Sequence, residues 1–305
     1  MINSLRVDFD CDIYLTGSNA SILSGELATL LSGRYIQIKV FPFSFSEYLQ
    51  TKQLTKNETA SKMEKALNDY LIYGAMPSVV NTRVDTNQQL KFLSDISDIF
   101  DSIMLRDVSI RSSAKQVSLL RLIALYLYDS TSSEISVTKL QKRIQGAGFS
   151  VSTTLLRLYF TLIESAFLFY KVEQTQLRGK QRLRAGAKYY SVDNGLWQSQ
   201  VEDDQSNLGN RLEAVVAIEL LRRGYDLKYG NVDQAEIDFV AIKNGKKEYF
   251  QVAYRLPENS EREIENLLKI EDNHKKTLIL GIDEGISNIK GVTITPAANW
   301  LLESE

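Results

Sequence analysis

Three sets of residues have types and spacings that suit chemistry. The first lies near the start of the chain: Thr16-Gly17-Ser18-Asn19, followed by Arg34. Ile13-Tyr14-Leu15 reads as a short apolar strand that stops at these turn formers. Ser21–Leu31 then places Ile22, Leu23, Leu27, Leu30 and Leu31 on one helical face, ended by Ser32-Gly33. Arg34 stands at the entry to a second strand, Tyr35–Val40. In open α/β sheets, ligands gather at the carboxyl ends of strands, where Thr16–Asn19 and Arg34 would fall. By residue type alone, Ser18 and Asn19 are helix caps and Arg34 is a surface cation.

The second set is a run of cations. Lys171–Tyr190 holds Lys171, Arg178, Lys180, Arg182, Arg184 and Lys188 against one acid, Glu173. The third is a pair of carboxylates, Glu213 in an amphipathic stretch and Asp238 in Glu236-Ile237-Asp238-Phe239-Val240, with Gln251 further on. Any metal in this chain would be a hard ion held by carboxylates.

Composition bounds the elements that must position these groups. At ~150 residues per domain, a chain of 305 residues holds about two domains or three small ones. Net charge is −2, from 36 basic and 38 acidic residues, so any nucleic-acid surface must be local. One cysteine, Cys11, excludes an internal disulfide, and with the single His274 it cannot build a zinc site. The start, MINSLRVDFDCD, lacks the pattern of a signal peptide, and no apolar run approaches the ~20 residues that span a bilayer. The expectation is a cytoplasmic protein without a membrane segment.

The stretch Ile13–Glu47, with its phrases TGSN, SGRY and PFSFSEY, resembles the late part of an AAA+ ATPase module. The resembled family is bacterial and archaeal and carries an uncharacterised C-terminal domain. The resemblance implies that the TGSN strand is a sensor-1 strand, whose Ser18 or Asn19 places the attacking water. It makes Arg34 an arginine finger, offered to the nucleotide of a neighbouring subunit. ATP and Mg²⁺ are the cofactors of that family. A phosphate-binding loop, G-x-x-x-x-G-K-[ST], is missing from this chain. Gly179-Lys180 has Gln174 at the first glycine position and Gly245-Lys246 has Val240 there. The twelve residues before Ile13 are too few for a nucleotide-binding half. The chain therefore reads as a truncated member, unable to bind ATP alone, whose partners are an intact AAA+ subunit or further copies of itself.

The fold expected is mixed α/β in four parts: a residual AAA+ segment (1–47), a helical lid (48–115), a winged helix (116–198) and a C-terminal domain (199–305). The lid contains helices at Ser61–Tyr73 and Gln88–Val108, with Tyr48–Ala60 as a polar loop with helix entry. Val117–Val192 has winged-helix order: helices at Leu119–Tyr128, Val137–Gln145 and Ser152–Ser165, then strands at Phe167–Val172 and Tyr189–Val192. The cationic loop between the strands is the wing, and its Arg178, Lys180, Arg182, Arg184 and Lys188 suit DNA phosphates. A hairpin that contacts protein instead is equally consistent with its composition. Asp193–Asn207 is expected as a polar boundary.

The C-terminal part reads as a helix over Leu208–Arg223, strands at Tyr225–Tyr229, Ala235–Ile242 and Glu248–Tyr254, and an Asn244-Gly245 hairpin turn. A helix from Glu261 and a strand at Thr277–Ile282 follow. This order resembles a PD-(D/E)XK nuclease core. The resemblance assigns Glu213 and Asp238 as Mg²⁺ ligands, with Glu219 as an alternative to Glu213. The Glu-x-Lys of that fold corresponds to Gln251-Val252-Ala253, which lacks the ammonium that helps activate water. The expected outcome is a nuclease-like fold without activity, with Asp238 as a structural carboxylate the competing reading and an active Mg²⁺ nuclease or a plain nucleic-acid-binding module the alternatives.

Overall fold

A computed structural model describes residues 11–17, 36–80, 89–104, 114–177, 186–201, 207–232, 235–256 and 262–303. Its elements run in the order α1 (Phe45–Thr51), α2 (Ala60–Tyr73), α3 (Pro77–Val80), α4 (Gln89–Ile103), α5 (Ala114–Asp129), α6 (Val137–Gly146) and α7 (Thr153–Ser165). Then come β1 (Phe169–Gln176), β2 (Ala187–Ser191), α8 (Asn194–Gln200), α9 (Leu208–Arg222), β3 (Asp226–Val232), β4 (Ala235–Lys243) and β5 (Lys246–Ala253). The chain closes with α10 (Arg262–Leu268), β6 (Lys275–Leu280), β7 (Asn288–Ile289), β8 (Val292–Pro296) and α11 (Ala297–Leu302).

The strands form one mixed sheet in the order β2-β1-β3-β4-β5-β6-β8-β7. β1 and β2 are an antiparallel pair, and β1 also runs parallel to β3 from Glu173/Lys228 to Gln176/Asn231. The sheet thus crosses the boundary expected at 198/199. β4 and β5 are joined by a tight hairpin, with Asn244 at φ 51° and Gly245 at φ 75°. Those left-handed values are what an Asn-Gly two-residue turn supplies at little steric cost. β5 and β6 are parallel, so their connection must cross the sheet, and α10 is that crossover.

Alternating side chains serve the two faces of this sheet. On one face Phe239, Phe250 and Ile279 pack with Leu212, Val216 and Leu220 of α9 and with Leu67 and Leu71 of α2. On the other, Val240, Tyr249, Leu278 and Leu280 pack with Ile264 and Leu267 of α10. A third core joins α4–α7 to Phe169 and Tyr189 and to Leu196 and Trp197 of α8.

Two expectations fail for physical reasons. Asp193–Asn207 is not simply a polar boundary, because its first part is α8, capped by Asp193, whose Oδ1 accepts from the Gly195 N–H. Its Asn194, Leu196 and Trp197 are buried, and Asp193 Oδ2 also accepts from the Ala75 N–H at 2.7 Å. Tyr48–Ala60 opens inside a helix rather than in a loop. α1 is set by a capping box in which Ser44 and Glu47 satisfy each other's backbone N–H groups.

The strands expected at Ile13–Leu15 and Tyr35–Val40 do not form in the described part of these stretches. Residues 11–17 and 36–40 have no regular structure and no partner strand among the described residues. Ile36 and Val40 are 90% and 91% exposed. A strand needs a neighbour to take its N–H and C=O groups, and none is offered among the described residues.

Candidate functional site

The deepest concentration of ionisable groups lies where α9 crosses the sheet. α9 is anchored by Arg211, which is fully buried. Its guanidinium donates to the carbonyls of Leu71 and Ile72 at the end of α2 and to Gln198 Oε1, and it lies over the Trp197 ring. Those carbonyls belong to the last turn of a helix, where a cation is favoured. Two residues on, just over half a turn round the helix, Glu213 faces the sheet. Its Oε1 accepts from the Tyr190 hydroxyl at 2.6 Å and from Lys188 Nζ at 3.3 Å. Glu219 is excluded from this cluster, being held by Arg222 and Arg223 of its own helix end at 3.0 and 2.9 Å.

Asp238 and Gln251 sit opposite each other just beyond the last ladder pair, Phe239/Phe250, of β4 and β5. Here side chains replace the ladder. Asp238 Oδ2 accepts from the Val252 N–H at 2.8 Å, and the Asp238 N–H donates to Gln251 Oε1 at 3.3 Å. Gln251 Nε2 donates to Glu263 Oε2 at 2.7 Å, so both ends of the amide are engaged. Glu213, Asp238 and Gln251 are each buried.

Lys188 completes the arrangement from β2. Its side chain is 1% exposed, and Nζ lies 2.6 Å from Glu236 Oε1 as well as 3.3 Å from Glu213. The ammonium also lies 5.4 Å from the centre of the Tyr229 ring. Burial works against its charge, but Glu213, Asp238 and Glu236 outweigh this and hold its pKa above the ordinary lysine value. For Asp238 burial comes first and Glu213 second, and together they overcome Lys188 and push the carboxyl well above its usual range. Tyr190 is likewise raised by burial and by the carboxylates beside it.

The sequence expectations divide accordingly. Glu213, Asp238 and Gln251 are brought together. Lys188, expected among the phosphate-gripping cations of the wing, is instead enclosed by carboxylates and is not free to meet DNA. The reason is its place in β2 rather than in the loop before it, facing α9. Arg178, Lys180, Arg182 and Arg184 lie outside the described residues, as do Ser18, Asn19 and Arg34. Sequence reading missed the ammonium in the carboxylate cluster. The nuclease-like pattern puts it at position 253, two residues along β5, whereas it arrives from β2, a strand four places away in the sheet.

A Mg²⁺ ion does not fit this set. Among the described residues no three His, Cys, Asp or Glu side chains are grouped to hold a metal. Gln251 is a neutral amide with both ends committed, and a lysine ammonium stands between the acids. No metal-dependent step is derived from these residues. No described helix is long and apolar enough to cross a membrane.

Comparison with known proteins places this geometry in context. Residues 1–49 match an AAA domain, and residues 64–207 match a domain of unknown function, DUF8612. An uncharacterised protein of Haemophilus influenzae is 41% identical over 303 residues, covering 99% of this chain and 74% of its own length. Uncharacterised protein MJ1544 of Methanocaldococcus jannaschii is 30% identical over 317 residues, covering 97% of this chain and 70% of its own. No solved structure matches.

Proposed function

Since this chain belongs to the family of those Haemophilus and Methanocaldococcus proteins, and since an AAA domain matches its first 49 residues, we propose that it is an AAA+ ATPase-related protein acting on nucleotide held by another subunit. The observation that carries this reading is the AAA match itself, which spans both Thr16–Asn19 and Arg34. In this reading Ser18 and Asn19 stand at the chain's own sensor-1 position, where they would orient water only on a nucleotide held by the same subunit. The residue that acts on the neighbour's nucleotide is Arg34. Arg34 stabilises the negative charge that spreads over the transferred phosphoryl group. The nucleotide that Arg34 meets would lie, with its phosphate-binding loop and Mg²⁺, in the neighbouring subunit. The remaining body, the proposed lid, winged helix and nuclease-like domain, couples that nucleotide site to a partner and does not cut phosphodiester bonds.

Purified alone, the chain is expected to turn over no ATP. Turnover by the chain alone, lost on Ser18→Ala or Asn19→Ala, would contradict the reading.

The partner proposed for the body is the DNA backbone, contacted through Arg178, Lys180, Arg182 and Arg184. What supports it is charge density, since these cations cluster within seven residues while the whole chain is slightly acidic. Neutralising the four to Ala should remove low-salt affinity for duplex DNA across all sequences. It should also flatten the slope of log affinity against log salt by ~0.9 per lost phosphate contact. Unchanged binding would transfer the wing to a protein-contact role. Lys188→Ala should leave that slope untouched, since Lys188 is enclosed.

A further inference from the structure

The carboxylate cluster of α9 and β4 already contains a cation. Lys188 Nζ is within 2.6 and 3.3 Å of carboxylate oxygens from two different elements, Glu236 of β4 and Glu213 of α9. Its side chain is as buried as the hydrophobic core around it. To reach this point from β2 it crosses β1 and passes the Tyr229 ring of β3. The neighbouring donors are arranged around the same charge. Tyr190 supplies a hydroxyl to Glu213, and the Val252 N–H supplies one bond to Asp238. Gln251, at the place where a metal-binding fold would put a third carboxylate, instead braces β4 against Glu263.

We propose that Lys188 is the permanent cation of this site: its ammonium stands where a divalent metal would have to sit, so the cluster is closed to metal. It fastens the β1–β2 hairpin to the C-terminal sheet. A compact ammonium is suited to the task, since it is one point charge with three rotatable donors. Two buried carboxylates and a partly exposed third need such a counter-charge, because leaving them unpaired in a low-dielectric interior is costly. The inference is independent of the ATPase reading, and its test does not involve ATP.

The test uses the full chain with Lys188→Met, Lys188→Arg and the double variant Lys188→Met/Glu213→Gln, each melted with and without millimolar Mn²⁺. Free Mn²⁺ is followed in parallel by its paramagnetic resonance signal. The wild type and Lys188→Arg should take up no Mn²⁺ and keep their melting temperature. Lys188→Met should melt lower by on the order of 10 °C, bind Mn²⁺ and recover much of that loss, because ligand binding to the folded state raises its stability. The double variant should melt above Lys188→Met and ignore Mn²⁺. If Lys188→Met is insoluble, recovery of folded protein only when Mn²⁺ is present is the expected signature. Uptake of Mn²⁺ by the wild type that is lost in Glu213→Gln would overturn the proposal. So would a Lys188→Met protein, folded or not, that is indifferent to Mn²⁺.

Discussion

Asp193 shows how much one buried carboxylate can organise. It caps α8, and it also holds the turn after α2 through the Ala75 N–H. Burial raises its pKa to about 6, partly offset by the backbone N–H groups of Ala75, Gly195 and Leu196. The unfolded-state value is ~3.9, so between the two values the folded state binds the extra proton. Stability from this group is therefore complete below pH ~4 and is lost as pH rises towards 6, by about 3 kcal/mol. Urea titrations from pH 4 to 7 should show a decline that is smaller in Asp193→Asn than in the wild type by about 3 kcal/mol, since the raised Asp238 carboxyl adds its own decline to both. Gly74 faces the same carboxylate, at φ 70°, where an added Cβ would fall 2.0 Å from Asp193 Oδ1. Gly74→Ala is expected to cost about 2–4 kcal/mol, from strain and overlap together. A loss within experimental error would show that the turn yields freely.

Among the elements, periodic stretches were legible and connecting ones were not. The helix expected at Ser152–Ser165 is α7, entered through the Ser152 side chain, which accepts from the Leu155 N–H. The Asn244-Gly245 hairpin and the strands on either side of it were equally plain, because turn chemistry and β-branched runs agree there. α8 was hidden because its seven residues are too short to show a helical period, and its flanks are acidic and polar. α1 carries a capping-box signature, Ser44 to Glu47, that the aromatic run around it obscured. β8 and α11 went unnoticed for the same reason of length. At the site, the Glu213, Asp238 and Gln251 grouping was readable only through the resemblance of this stretch to a nuclease core. The Lys188 contribution was not, since it depends on β1 pairing with β3 and bringing the β2 edge towards β4.

At the scale of the whole molecule, the sheet is the feature that matters most. The region read as a winged helix and the region read as a C-terminal domain share it through the β1–β3 pairing, and Lys188 with Glu213 and Arg211 with Gln198 and Trp197 tie them further. Expressed separately, residues 116–198 and 199–305 should therefore remain largely unfolded or aggregate, because each exposes a bare strand edge and half a core. Two independently cooperative, soluble fragments with native-like circular dichroism would refute that unity.

The claim that ties these scales together is that Arg34 acts on another subunit's nucleotide. The most direct measurement is steady-state ATP turnover of a family subunit bearing an intact G-x-x-x-x-G-K-[ST] loop, but lacking its own finger arginine, titrated with this chain. The account predicts saturable stimulation by the wild-type chain. It predicts that the stimulation is lost by roughly a thousandfold, as for other trans-acting arginines, with Arg34→Ala. Arg34→Lys should restore little of it, since a point charge lacks the planar fork. Equal stimulation by wild type and Arg34→Ala, or none by either, would contradict it.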